Sequence, residues 1–268
     1  MADLQIGVVG CAGRMGINLL RQIDAAAGCA IAGGSERSSH GSIGHDVGQL
    51  AGLSDLGLEV EAEPRAVFER ADVVLDFTVP AATVVHAGLA AETGTRLVIG
   101  TTGTTAEEDA AIRAAAQSVA IMREGNMSLG VNVLAVLTER MASYLDDDFD
   151  IEIVEMHHRY KVDAPSGTAL LLGRAAAAGR GVDHDTVMQG GRHGITGERR
   201  RGDIGYAALR GGNVAGEHTV IFAADDERIE LTHKAADRAI FARGAMRAAR
   251  WLADKEAGLY GMADVLGL

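Results

Sequence analysis

The run Leu4-Gln5-Ile6-Gly7-Val8-Val9-Gly10-Cys11-Ala12-Gly13-Arg14-Met15-Gly16 decides the fold. Leu4–Val9 is a short apolar run of strand type, and residues 14–27 follow with helical spacing, Met15, Leu19, Leu20 and Ile23 falling on one side. Between them the glycines are spaced G-x-x-G-x-x-G. Such a turn is tight and lets the backbone approach a pyrophosphate, whose charge the start of the helix favours. Strand, glycine turn and helix are the setting in which this pattern binds a dinucleotide. An acidic residue follows at the expected distance, Glu36, just after a second strand at residues 29–32. Its carboxylate would accept hydrogen bonds from ribose hydroxyls of an adenosine, and Arg37 beside it could pair with the extra phosphate of NADP. The competing interpretation is a plain turn with a surface Glu-Arg pair.

Outward from this stretch, strands and helices alternate. Strands are expected at residues 58–62, 72–77, 96–99 and 119–122, and helices at 64–70, 80–92 and 106–117. The Gly/Ser/His-rich segment 33–48 is expected to be a long loop. This alternation predicts a parallel sheet with helices on both faces. Loops at the C-terminal ends of such strands bind ligands. Gly100-Thr101-Thr102-Gly103 and Glu124-Gly125-Asn126-Met127 occupy those positions, with backbone amides and small side chains suited to a nicotinamide and its ribose; alone, either is equally a plain turn.

From Ser128 the pattern changes. A long apolar helix is expected at 129–145, a strand at 150–156, then the loop His157-His158-Arg159-Tyr160-Lys161-Val162-Asp163-Ala164 and the helix start Pro165-Ser166-Gly167-Thr168. Proline presets a first turn, and Ser or Thr can cap it. The cationic cluster beside a helix N-terminus suits a small polyanion. Residues 179–201 are expected to be an extended loop. Runs at 204–209, 214–223 and 227–232 look like an antiparallel set turned at Gly211-Gly212-Asn213 and Asp225-Asp226. A helix at 239–253 resembles those of the first half and is expected to return to cover it. Two domains follow: 1–127 with 239–268 for the dinucleotide, and 128–238 for substrate and oligomerisation.

The 268 residues suffice for roughly two domains. A net charge of −12 argues against nucleic acid as a partner, although a local site can still attract a small anion. Cys11 and Cys29 show no ligand spacing and are expected to be reduced thiols of a cytoplasmic protein. No signal peptide or membrane-spanning run is read. The adjacent His157 and His158 face opposite sides of an extended chain, which argues against a shared metal, and no metal is assigned.

The chain resembles the 4-hydroxy-tetrahydrodipicolinate (dihydrodipicolinate) reductase family. The resemblance is carried by residues 10–16, Gly100-Thr101-Thr102-Gly103, Asn126-Met127-Ser128-Leu129-Gly130-Val131-Asn132, the stretch from Glu155 to Thr168, Gly216-Glu217-His218-Thr219 and Thr232-His233-Lys234-Ala235. It implies an α/β fold with a Rossmann-like dinucleotide domain and an α+β domain with a mixed or antiparallel sheet. It also implies a cytoplasmic homotetramer, with NADH or NADPH as cofactor, that reduces a cyclic dicarboxylate of lysine and diaminopimelate biosynthesis. His157 would be the acid–base residue and Lys161 a proton donor, with His158, Gly167 and Thr168 on the substrate carboxylates. Gly10, Cys11, Ala12, Gly13, Arg14, Met15, Glu36, Gly100, Thr101, Thr102, Glu124, Gly125, Asn126 and Met127 would hold the cofactor. Two departures stand out. Cys11 is larger than the residue usual in the glycine loop. Glu124 stands where the family has small apolar residues, and an inward-pointing carboxylate there would weaken binding of a phosphorylated cofactor. An aspartate-type amino-acid dehydrogenase and a silent dinucleotide sensor are the rival readings.

Overall fold

The computed structural model describes residues 3–268. In chain order its elements are β1 (Leu4–Val9), α1 (Arg14–Asp24), β2 (Cys29–Ser35), α2 (Val47–Leu50), β3 (Val60–Glu61), α3 (Arg65–Arg70), β4 (Val73–Asp76), α4 (Pro80–Thr93), β5 (Arg96–Ile99), α5 (Ala106–Ala115), β6 (Ala120–Arg123), α6 (Leu129–Tyr144), β7 (Asp150–His157), α7 (Gly167–Gly179), α8 (His184–Val187), β8 (Met188–Gln189), β9 (Ile204–Arg210), β10 (Gly216–Ala223), β11 (Arg228–Ala235), α9 (Ala239–Leu252), β12 (Gly258–Tyr260) and α10 (Met262–Leu266). They form two compact units, the first running to residue 128 and resuming at 239–268, the second spanning 129–238.

The first unit is built on a parallel sheet in the order β12-β6-β5-β4-β1-β2-β3. Its central strands are apolar runs because helices bury both faces; all four residues of β4 are buried. The chain moves outward from β1 to β3, then restarts at β4 and moves the other way, so a switch point lies between β1 and β4. Glycine at position 7 lets α3 close on β1, since a Cβ there would lie 2.5 Å from a Val67 methyl. The helix α9 packs on α1 and on β4, β5 and β6, as its small buried face of Ala242, Ala245, Ala248 and Ala249 allows.

The second unit is a mixed sheet, β11-β10-β7-β9-β8, with α6 and α7 over one face. Ile151, Ile153, Val220 and Phe222 alternate inward to meet Leu172 and Ala176 of α7. Each such large side chain contributes about 1.5–3 kcal/mol by burial.

Several expectations are corrected. The strand β2 runs on through Gly33, Gly34 and Ser35, and α2 begins at Val47, so the expected loop is confined to residues 36–46. Residues 179–201 contain α8 and the short β8, which extends the sheet beside β9. The strands β9 and β10 do not form a hairpin: β9 runs parallel to β7 on one side and β10 antiparallel to it on the other. Gly211-Gly212-Asn213 therefore leads a crossing connection, whereas β10 and β11 do pair across the Asp225-Asp226 turn. Pro165 lies one residue before the cap Ser166, outside the first turn of α7. The strand β12, paired with β6, and the helix α10 carried no recognised signal.

Candidate functional site

At the switch point of the first unit a cavity of about 510 Å³ is lined by Gly10, Ala12, Gly13, Ser35, Glu36, Arg37, His40, Ala62, Pro64, Phe77, Thr78, Val79, Ala82 and His86. Gly10 takes a left-handed turn, φ +67°. Gly16 lies so close under it that a Cβ would stand 2.3 Å from the Gly10 carbonyl oxygen. The cap position of α1 is Gly13, which has no side chain to cap with, and the first turn carries no acid. By contrast, α5 is closed by a reciprocal Thr105–Glu108 capping box with three acids in its first turn. The uncapped N-terminus of α1, directly after the glycine turn, is thus suited to a phosphate. These residues fit a dinucleotide.

Of the loop residues expected at the cofactor, Gly10, Ala12 and Gly13 line the cavity, while Cys11, Arg14 and Met15 do not. The Cys11 side chain turns under β2, and glycine at position 34 makes room for it: a Cβ there would be 2.9 Å from its sulfur. Burial, with the charge of Glu36, pushes its thiol up to about 12, so it is a neutral packing group. The larger residue is therefore accommodated without entering the cavity.

The floor of the cavity is a polar knot that sequence reading missed. Asp76, fully buried at the end of β4, accepts from His86 Nδ1 at 2.9 Å, Thr78 Oγ at 2.6 Å and Thr78 N–H at 2.9 Å. Burial opposes its ionisation, but these donors hold its carboxyl below the usual range. Thr83 donates to Thr101 at 2.8 Å, tying the loop after β5 to α4. Gly100 fits only as glycine, because a Cβ would stand 2.1 Å from the Phe77 ring. Thr102 lies against Gly125, so the loops after β5 and β6 are neighbours. Asn126 Oδ1 accepts from Ser128 N–H, and Met127 is buried. The Glu124 carboxylate accepts from Gly125 N–H at 3.0 Å and Met262 N–H at 3.3 Å, so it faces the start of α10.

The second unit gathers acid–base groups at one end of its sheet. His157 is the last residue of β7. Its Nδ1 lies 2.6 Å from Glu155 Oε2. Arg210 grips Glu155 with a fork, at 2.7 and 2.8 Å, and Ser166 N–H donates to it at 3.1 Å. Burial works against that charge, yet Arg210 and His157 keep the Glu155 carboxyl below the ordinary carboxylate range. Ser166 also caps α7 through Ala169 N–H and contacts His218 Nε2 at 3.0 Å. His218 sits edge-on to His157, ring centres 5.1 Å apart. Burial, followed by the neighbouring His157, pushes His218 down to about 4, so it is neutral near pH 7.

Of the other expected residues, His158 accepts at Nε2 from Arg238, 2.8 Å away, which places its proton on Nδ1. Burial and the Arg238 charge lower its basicity. Lys161 Nζ donates to both oxygens of Asp163 at 2.8 Å. Gly167 and Thr168 open α7 directly after Ser166. Glu155, Arg210, His218 and Arg238 were not assigned roles from sequence, and Ser166 was read only as a candidate helix cap, which it is. One signal was present for Glu155: it shares a face of β7 with Ile151, Ile153 and His157, so an acid occupies an apolar register.

A Rossmann-like sheet with a dinucleotide-shaped switch point, carried on one chain with an anchored histidine and lysine, defines an oxidoreductase. Residues 4–127 match the family model for the N-terminus of dihydrodipicolinate reductase, and residues 130–266 match that for its C-terminus. A 4-hydroxy-tetrahydrodipicolinate reductase from Rhodopseudomonas palustris strain BisA53 is 55% identical over 268 residues, covering 100% of this chain and 98% of that one. The enzyme of the same name from Parvibaculum lavamentivorans is also 55% identical, with 100% and 99% covered. A solved dipicolinate-bound dihydrodipicolinate reductase from Paenisporosarcina sp. TG-14 superposes with a TM-score of 0.75 at 23% identity, covering 98% of this chain and 99% of that one, which speaks to the fold. The chain belongs to the dihydrodipicolinate reductase family.

Proposed function

We propose that the chain reduces 4-hydroxy-tetrahydrodipicolinate to tetrahydrodipicolinate in lysine and diaminopimelate biosynthesis, consuming one NADH or NADPH and one proton and releasing water. Residues 1–127 with 239–268 bind the dinucleotide, and 128–238 bind the substrate. The observation that carries this is the cluster around Glu155: one carboxylate fixes both the ring of His157 and the N-terminus of α7. Family membership over the whole chain supports it. It also disfavours the amino-acid dehydrogenase and silent-sensor readings.

A reduced nicotinamide supplies the hydride when bound. Glu36 accepts from ribose hydroxyls, and Arg37, also on the cavity wall, pairs with a second phosphate where one is present. Gly10, Ala12 and Gly13 receive the pyrophosphate, while Cys11, Arg14 and Met15 shape the loop from behind. Gly100, Thr101, Thr102, Gly125, Asn126 and Met127 line the path toward the nicotinamide; Glu124 contributes backbone only. Lys161, His158 and the Gly167 and Thr168 amides hold the two substrate carboxylates. Lys161 donates a proton, and His157 exchanges one at Nε2 as electron density from hydride addition is quenched. The chain acts as a cytoplasmic homotetramer. The face of the second sheet opposite α6 and α7 supports association, since it carries Val154, Met156, Ile221 and the half-exposed Leu209.

The test is oxidation of NADH and of NADPH, followed separately, with freshly generated substrate. Turnover with at least one is expected. Its absence with both, in folded protein that binds either cofactor, overturns the assignment.

A further inference from the structure

Glu155 is 99% enclosed on β7 in a position that the strand's alternation reserves for apolar side chains. Four donors converge on its two oxygens. Oε2 receives His157 Nδ1 and Arg210 Nη1, and Oε1 receives Ser166 N–H and Arg210 Nη2. The carboxylate is therefore saturated, and it is ionised. An ionised oxygen 2.6 Å from a ring nitrogen requires that nitrogen to carry the proton. His157 is consequently held in one tautomer, with Nδ1–H spent on Glu155 and Nε2 left for exchange. Nε2 faces Gly216, where a Cβ would stand 3.0 Å from it, so the missing side chain leaves that nitrogen its space. The neighbouring ring, His218, is neutral and places no competing charge there.

We propose that Glu155, clamped by Arg210, is the positioning residue of the acid–base site: it fixes the tautomer and direction of His157 and, through Ser166 N–H, registers that ring against the N-terminus of α7. This rests on the reading of His157 as the acid–base residue. Removing the charge breaks the arrangement in a defined way. A glutamine offers one acceptor oxygen and one NH₂ group, so two of the four donors lose their acceptor whichever way the amide turns.

The experiment compares Glu155→Gln, Arg210→Gln and His157→Gln in steady-state reduction of the pathway substrate, with dinucleotide affinity measured separately. The ring tautomer is read from two-bond ¹H–¹⁵N correlations in histidine-labelled protein, the His157 signals being assigned by their loss in His157→Gln. Glu155→Gln is expected to lower kcat by about 10²–10⁴-fold, the upper end being what loss of a tautomer-fixing carboxylate costs in a Ser-His-Asp triad. KM and dinucleotide affinity should change far less, and His157 should sample both tautomers instead of Nδ1–H alone. Arg210→Gln, which leaves Glu155 in place but unclamped, is expected to lower kcat in the same direction by a smaller factor, on the order of tenfold or about 1.4 kcal/mol in the barrier. If His157→Gln is inactive while Glu155→Gln turns over like wild type, the positioning role is wrong and the acid–base assignment survives. If His157→Gln itself keeps full turnover, both fall. Should Glu155→Gln fail to fold, Arg210→Gln decides: wild-type kcat with an unchanged tautomer overturns the proposal.

Discussion

Replacing Lys161 by methionine separates catalysis from folding, and the structure sets the stability side of the comparison. Among the described residues, the side-chain partner of Nζ is Asp163, at 2.8 Å to each oxygen, and 57% of the Asp163 side chain is exposed. An ion pair with so wet a partner contributes about 0.2–1 kcal/mol. Methionine keeps most of the aliphatic stem. Against a total stability of roughly 5–15 kcal/mol, that loss leaves the folded population essentially complete. If Lys161 protonates the substrate, its removal costs turnover by about 10²–10⁴-fold, the range for a lost general acid. A factor of 10³ is about 4 kcal/mol in the barrier, several times what the ion pair could contribute to stability. The assay is NADH or NADPH oxidation under saturating cofactor, beside urea unfolding and a fluorescence titration of the dinucleotide. Dinucleotide affinity should stay within about twofold, or roughly 0.4 kcal/mol, because Lys161 belongs to the second unit. A variant that turns over at wild-type rate refutes the role; one that loses activity and several kcal/mol of stability together refutes the account of its contacts.

Two further outcomes test the first unit. Asp76→Ala strips the acceptor from His86 Nδ1, Thr78 Oγ and Thr78 N–H, and at about 1–3 kcal/mol for a buried donor left without its acceptor the variant should lose several kcal/mol in urea unfolding at pH 7. Because the folded Asp76 pKa is depressed, its contribution is complete above an unfolded value near 3.9 and fades as pH falls through the lower folded value; the gap between wild type and variant should begin to narrow only below about pH 4. A gap independent of pH would mean the charge is not what stabilises. Gly16→Ala places a Cβ 2.3 Å from the Gly10 carbonyl and 2.6 Å from that of Cys11, so the glycine loop must shift. Dinucleotide affinity should fall on the order of tenfold, about 1.4 kcal/mol, in a titration at fixed salt; unchanged affinity would remove the loop from the phosphate site.

Much of the first unit was legible in the sequence because a doubly covered parallel sheet writes itself as short apolar runs, each ended by a turn and followed by a 3.6-residue period. Leu4–Val9 and Arg96–Ile99 needed no tertiary information. By contrast, Gly258–Tyr260 is too short for a period and becomes a strand only by pairing with Ala120–Met122. Strand direction was equally hidden. Alternation in β9 fixes which face Ile204 and Tyr206 occupy, but it is the same whether β9 runs with β7 or against it. The acid–base cluster was half legible. His157 and Lys161 stand in one local run, whereas Arg210 and His218 come from strands 55 and 52 residues away from their partners Glu155 and Ser166. Glu124 illustrates the converse: its position suggested the cofactor, and only the fold shows its carboxylate turned to Met262.

The proposed substrate is a dianion, and the charges around the second site bear on how a chain of net charge −12 would receive it. Sequence alone suggests a diffuse basic loop, but the fold adds Arg210 and Arg238 to it, and these cations are not equivalent to Lys161. Arg210 is committed to a carboxylate that is 1% exposed, and withdrawing it would strand that buried charge. Arg238 donates to His158. Lys161 alone among these three is paired with a carboxylate largely in water, and Asp163 returns to solvent at small cost. On the proposed reading, an incoming carboxylate competes for Lys161 against a weak resident partner, while the Arg210–Glu155 clamp stays closed around His157 Nδ1. Exchange at Lys161 and rigidity at Glu155 are the two properties such a site needs together. They arise from one difference: the first carboxylate lies in an exposed loop, the second inside a strand.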